Sequence, residues 1–279
     1  MNIQDGSSGL GGVCMRHGRY KWALEWYRRA WMGYEKTSGM DHPHTLTTVH
    51  NMALVFDSQG WYDKALEMYQ RALAGYEKAL GADHPHTLAT VGQMATVFNS
   101  EGQYGKALEW YGRALDGQKK ALGADHPHTL TTLHNMASIF TSQGQYDKAL
   151  ERYGQVLAAS ETTLGVDHPY TLTMVYSMAL VFKNQGQYAK ALEWHARALT
   201  GREKALGMDH PSTLATVGQM AAVFDSQGEY TKALEWYRRA LTGQEKALGT
   251  DHPHTLTTVQ QPRTVRQSTG VVWPRIGWL

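Results

Sequence analysis

One cysteine, Cys14, among 279 residues excludes an intrachain disulfide and points to a reducing compartment, the cytoplasm. An excess of one charge is missing too. Twenty-seven Lys and Arg stand against 25 Asp and Glu, a formal charge of +2. That balance gives no footprint for nucleic acid and no polybasic patch for a membrane surface. No apolar run approaches the length of a membrane span. Residues 1–12 are polar and glycine-rich, unlike the apolar core of a signal peptide. No glycine-rich loop runs into Lys-Ser/Thr, so no nucleotide or other cofactor is expected. Histidine is plentiful: fourteen make the charge sensitive to mild acid.

What is present is a period. Asp41-His42-Pro43 returns as Asp83-His84-Pro85, Asp125-His126-Pro127, Asp167-His168-Pro169, Asp209-His210-Pro211 and Asp251-His252-Pro253. Each step is 42 residues, without insertion or deletion, and a fixed period of this size marks a stacked array. Within one unit, Asp41 or His42 stands where a helix N-cap belongs and Pro43 falls in the first turn. Leu46, Val49, Met52, Ala53 and Phe56 follow at helical spacing, and Gly60 ends this helix A. Tyr62, Ala65, Leu66, Tyr69, Ala72, Leu73 and Tyr76 give a longer helix B, closed by Gly81. Neither stripe is buried by one unit alone, so each unit needs its neighbours.

Val49-x-x-Met52-Ala53-x-x-Phe56, followed by Ala65-x-x-x-Tyr69 and Ala72, resembles the tetratricopeptide signature. The longer unit and its Leu-Gly-x-Asp-His-Pro joint resemble the kinesin-light-chain type. Glu77 stands where the family's usual Pro closes helix B. The resemblance implies an all-α fold, a right-handed superhelical solenoid of antiparallel helix pairs. It covers 9–261: a partial unit 9–40, five full units 41–250, and a helix A remnant 251–261. Residues 1–8 read as a disordered lead-in. In 9–18, Gly11, Gly12 and Cys14 replace the Ala, Leu and Phe of a sound helix A. Pro262 should stop the last helix near Gln261, and 262–279 reads as an irregular tail with Trp273 and Trp278. Both ends read as cut, since neither supplies a polar capping unit.

Candidate chemistry is thin. Paired histidines at 42/44, 84/86, 126/128 and 252/254 suggest metal ligands, but Tyr170 and Ser212 break the pattern, and capping explains the joints without a metal. Cys14 and His17 lack a third orienting group. Glu67, Glu109, Glu193 and Glu235 each precede an Arg by four residues, as ordinary helix-surface pairs do. No enzyme activity is expected. Trp26, Trp110, Trp194 and Trp236 share one flank of helix B, with Met68 and Arg152 in the other units. They read as packing against the next repeat or as an exposed aromatic row. Tyr69, Tyr111, Tyr153 and Tyr237 read as core. Gly33, Gly75, Gly117, Gly201 and Gly243 lie inside helix B, where Gly costs about 1 kcal/mol against Ala. Unless close packing demands it, Gly117→Ala should stabilise.

Comparison between units gives the functional signal. Helix B is nearly constant, while helix A varies in columns. His50, His134 and Tyr176 share one, with Gly92 and Gly218. Asn51, Gln93, Asn135, Ser177 and Gln219 form the next. Leu54, Thr96 and Ser138 belong to a third, and Asp57, Asn99, Lys183 and Asp225 to a fourth. The resemblance places these positions on a concave groove. Amide side chains there suit the backbone of an extended peptide. The expected function is therefore protein–protein recognition, with a protein or peptide partner and no small-molecule substrate, nucleic acid or membrane. A kinesin-light-chain-like cargo adaptor and the sensor arm of a fungal-type nucleotide-binding receptor are alternative settings for such an array.

Overall fold

A computed structural model describes residues 3–251 and 253–260. Among the described residues it is all-α: α1 (Ile3–Arg16), α2 (Tyr20–Ser38), α3 (Pro43–Ser58), α4 (Tyr62–Leu80), α5 (Pro85–Ser100), α6 (Tyr104–Ala121), α7 (Pro127–Ser142), α8 (Tyr146–Leu164), α9 (Pro169–Asn184), α10 (Tyr188–Leu206), α11 (Pro211–Ser226), α12 (Tyr230–Leu248) and α13 (Pro253–Gln260). The chain divides into two compact units, residues 1–143 and 144–279. The division falls in the turn between α7 and α8, inside one 42-residue repeat. Within each unit, helices adjacent in sequence pack on one another, as a stacked array of helix pairs requires.

The joint is built from its own repeated residues. His42, His84, His126, His168 and His210 are the N-caps, and the Nδ1 of each accepts from the backbone N–H two residues on, at 3.1–3.2 Å. The following proline occupies the first helical position, where no N–H is needed. Thr45 donates its hydroxyl to the Gly39 carbonyl at 2.8 Å, and Thr87, Thr129 and Thr213 do the same in their joints. Each A helix ends in a tight reversal. Trp61 N–H reaches back to the Phe56 carbonyl across Gly60, whose φ of 74° only glycine adopts without strain.

The core follows the expected stripes. Leu46, Val49, Met52, Ala53 and Phe56 are buried on α3, and Ala65, Tyr69, Ala72, Leu73 and Tyr76 on α4. Tyr69, Tyr111, Tyr153 and Tyr237 are all buried.

Four expectations need correction. Residues 3–8, read as a disordered lead-in, are the first turns of α1. Further along α1, Gly11 has a packing role: a Cβ on it would lie 2.8 Å from the Tyr27 ring. Next, Arg71, Arg113, Arg197 and Arg239 do not serve i,i+4 pairs. They reach the preceding B helix, at Glu35, Glu77, Glu161 and Glu203. These pairs tie repeat to repeat at the surface, while Lys78–Asp41 and its counterparts tie helix B to the joint of its own repeat, and screening keeps each contribution small. Third, the tryptophans do not form an open row. Trp110, Trp194 and Trp236 are half-buried against Phe98, Phe182 and Phe224 of their own repeats, beneath Arg113, Arg197 and Arg239.

The fourth concerns glycine. A Cβ on Gly117 would sit 2.3 Å from Cδ2 of buried Leu88, and Gly75, Gly201 and Gly243 meet Leu46, Leu172 and Leu214 in the same way. Close approach to these leucines therefore favours glycine, although the repeat that carries Ala159 accommodates the methyl. Gly117→Ala gains about 1 kcal/mol of helix propensity but overpacks a filled site, which costs about 1–3 kcal/mol. The expected outcome is a net loss of about 1 kcal/mol and a lower melting temperature. A higher one would mean that Leu88 moves aside freely. The tail expected at 262–279 lies outside the described residues. The expected last helix is present as α13.

Candidate functional site

The four variable columns fall on the A helices at positions 8, 9, 12 and 15 counted from the first proline. That spacing leaves them on one side, off the core stripe. In the first unit this side carries His50, Asn51, Leu54 and Asp57 on α3, Gln93, Thr96 and Asn99 on α5, and His134, Asn135 and Ser138 on α7. In the second it carries Tyr176, Ser177 and Lys183 on α9, and Gln219 and Asp225 on α11. Ser138 is exposed and the others are half-buried. Side chains so placed keep polar atoms near water while their stems are fixed by neighbours.

Those neighbours include the core tyrosines. Tyr111 leaves α6 and runs between A helices, so that its hydroxyl meets Thr96 Oγ1 at 2.8 Å on α5 and hydrogen-bonds Asn135 on α7. One B-helix side chain thus ties two adjacent A helices together. Tyr69 occupies the same place one repeat earlier, but Leu54 stands where Thr96 would, and the Tyr69 hydroxyl is buried without a partner. Burial and the nearby Asp57 raise its pKa. His50 lies edge-on to Tyr69, with ring centroids 5.2 Å apart, and its Nδ1 is 3.0 Å from Thr90 Oγ1 on the next A helix. Burial, with a smaller effect of His86, lowers the His50 pKa to about 4, so this ring is neutral at pH 7. Burial lowers the His134 pKa as well.

In the second unit the tyrosine position holds His195. Its ring is fully buried, and neither nitrogen has a hydrogen-bond partner. Tyr176 meets it edge-on at 5.4 Å, and Arg202 lies over the Tyr176 ring at 4.6 Å. Burial, then Lys183 and Arg202, lower the His195 pKa to about 4. Lys183 donates to Gln219 Oε1 at 3.3 Å, and burial lowers its pKa against the opposing pull of Asp225. The column of amides is therefore partly engaged within the fold: Asn135 with Tyr111, Gln219 with Lys183.

Sequence reasoning missed a second variable column, on helix B. Tyr34, Tyr76, Gln118, Ser160, Arg202 and Gln244 are buried and alternate in chemistry. Several of their contacts reach the following A helix, although Tyr76 also meets Thr47 on α3 and Arg202 also lies over Tyr176 on α9. Tyr34 and Tyr76 stack on His44 and His86 at 5.6 and 5.5 Å. Gln118 Oε1 accepts from Thr132 at 2.8 Å. Arg202 donates to the Ser212 carbonyl and to Thr216 Oγ1. The signal was present, since the column changes as much as any on helix A. The column was masked by the constant Lys-Ala-Leu-Glu run nearby.

Among the described residues, no three His, Cys, Asp or Glu side chains gather to hold a metal ion. The joint histidines spend Nδ1 on capping. Cys14 is half-buried in α1. No described helix is long and apolar enough to cross a membrane.

Known structures and families resemble this geometry. A putative kinesin light chain from Podospora anserina, described as nearly identical TPR-like repeats, is 28% identical. It superposes with a TM-score of 0.65 over 75% of this chain and 99% of its own. BtubC (BKLC) from P. vanneervenii is 20% identical, with a TM-score of 0.68 over 85% of this chain and 92% of its own. A Rap protein complexed with Competence and Sporulation Factor is 16% identical, with a TM-score of 0.59 over 88% and 76%. No curated protein matches the chain at a significant level. The sequence model for the tetratricopeptide repeat matches residues 5–78, 58–120, 86–162, 143–199 and 170–246, nearly the whole described array. Helix pairs, period and sequence match agree: the chain belongs to the tetratricopeptide repeat family.

Proposed function

We propose that the chain is a non-catalytic recognition module whose helix-A side binds an extended segment of a protein partner. One observation carries the reading: half-buried polar side chains recur at one-repeat spacing on the A helices, and they vary from repeat to repeat while the A-helix core stripe beside them stays apolar. Asn51, Gln93 and Asn135 in the first unit offer amides to a partner's main chain, and Ser177 and Gln219 hold the same repeat position in the second. His50, His134 and Tyr176 offer rings. Asp57, Lys183 and Asp225 set charge preference, and Leu54, Thr96, Asn99 and Ser138 line the remainder. The family supports a scaffold of this kind. The Rap structure, named as a complex with a factor, supports occupancy of such arrays by a second molecule. A cargo-adaptor setting is favoured by the relative titled a putative kinesin light chain. The single cysteine suits the cytoplasm.

Peptides selected on the purified chain from a displayed random library supply the probe. Asn51→Ala with Gln93→Ala should weaken the selected peptides by about 0.5–1.5 kcal/mol per lost amide contact. The fold should be unchanged, because neither side chain belongs to the core. Asn135→Ala is a poorer probe, since it also strips Tyr111 of a partner. Equal affinity in the double variant, with loss on changing the B-helix residues Glu67 and Glu109, would reject this side of the array.

A further inference from the structure

Trp110, Trp194 and Trp236 fill one niche with an indole, whereas Met68 and Arg152 hold that position in two other repeats. In the second unit, Leu199, Val217 and Met220 pack with Trp236, and the Trp236 ring lies 6.4 Å from that of Phe224. In the first unit, Leu73, Val91 and Met94 pack with Trp110, whose ring lies 6.1 Å from Phe98. One repeat earlier the corresponding residues are Trp31, Val49, Met52, Met68 and Phe56. The Leu–Trp pair has become a Trp–Met pair. The exchange leaves space: an open cavity of about 250 Å³ lies between α2, α3 and α4. Its floor is Val49, Met52 and Phe56, and Trp31 and Met68 form its walls.

Two polar atoms at this cavity lack a hydrogen bond. Trp31 Nε1 is buried and has no hydrogen-bond partner. Arg71 Nη2 is likewise without a hydrogen bond, with Glu35 3.7 Å away. In the filled niches the equivalent Arg113 and Arg239 cover the indole at 5.5 Å; here Arg71 lies over Trp31 at 4.9 Å. Arg28 and Lys64 add positive charge at the rim, against one acid, Glu67. Arg28 is replaced by Gly112 and Ala196 in other repeats, so this rim is more basic than theirs.

We propose that this cavity binds a small planar aromatic carboxylate of the indole-acid class. The ring takes the place that Trp110 and Trp236 take elsewhere. The carboxylate accepts from Trp31 Nε1 and pairs with Arg71 and Arg28. The volume suits one bicyclic ring rather than a larger ligand. The site is separate from the helix-A side and does not depend on that reading.

The test titrates indole-3-acetate into the full chain and follows the indole N–H resonance of Trp31. Saturable binding below about 1 mM is expected for a fragment of this size. Met68→Trp should fill the niche from within and weaken binding at least about tenfold. Should that variant fold poorly, Trp31→Leu with Met68→Trp restores the pair used in the other repeats and should also abolish binding. Neutral 3-methylindole should bind several-fold more weakly than the acid. No saturable shift in the wild-type chain, or undiminished binding in either filled variant, would overturn the proposal.

Discussion

Tyr111→Ala is expected to cost about 3–5 kcal/mol, the range for truncating a large buried aromatic. The side chain is 1% exposed. It packs between helices of two repeats, and its hydroxyl joins Thr96 to Asn135. Its loss removes core volume and the tie between adjacent A helices together. The same change at Tyr27 should cost less, although Tyr27 is only 3% exposed. Tyr27 packs on the glycine-rich α1, where Gly11 offers its ring no side chain, and regions with few packed side chains open at lower free energy. Urea melts of both variants provide the comparison. Equal losses would contradict a stack in which each repeat is held mainly by its neighbours.

Acid should begin to destabilise the array before carboxylates titrate. His50 and His195 have folded pKa values lowered from 6.5 to about 4, chiefly by burial. Both are bases held neutral in the fold. As pH falls through 6.5 the unfolded chain takes up protons that the folded chain refuses, so stability falls. The loss grows until pH reaches about 4, where the folded state protonates too. A shift of this size corresponds to roughly 3 kcal/mol for each group. His134, lowered in the same sense, adds to it. His195→Tyr restores the residue that the other repeats use. It should remove one share of the acid sensitivity, and it should also stabilise at pH 7 by replacing two unpaired ring nitrogens. Melting temperatures at pH 7.5 and 4.5 for the two proteins measure this. Identical slopes with pH would mean that His195 is solvated in the folded chain.

Much of the fold is legible in the sequence because it depends on local chemistry. The Asp-His-Pro joint carries its own cap, its own proline and its own glycine, so helix starts and stops follow from residues within a few positions. The Leu46 and Tyr69 stripes are periodic and need no knowledge of the partner. Contacts between repeats are different. Arg113 has a glutamate four residues before it and another 36 residues before it. Only the packing of successive B helices selects Glu77. Gly117 reads as a propensity defect until Leu88 is placed against it. The polar residues of the helix-A side are legible as variation. Their engagement is not: that Asn135 is held by Tyr111, and Gln219 by Lys183, depends on the reach of side chains from neighbouring helices. Residues 3–8 read as disordered because they are polar, without a core stripe of their own. Their helix rests on tertiary packing, with Ser7 buried and Tyr27 lying against Gly11.

The side-chain amide resonances of the full chain offer the most direct test of partner recognition on the helix-A side. Asn51, Gln93, Asn135 and Gln219 carry NH2 groups there, while Gln70 and Gln155 carry exposed ones on B helices. On titration with a library-selected peptide, the first set should shift and broaden in saturable fashion, and the second should stay in place. Shifts confined to Gln70 and Gln155, with Asn51 and Gln93 unmoved, would contradict it.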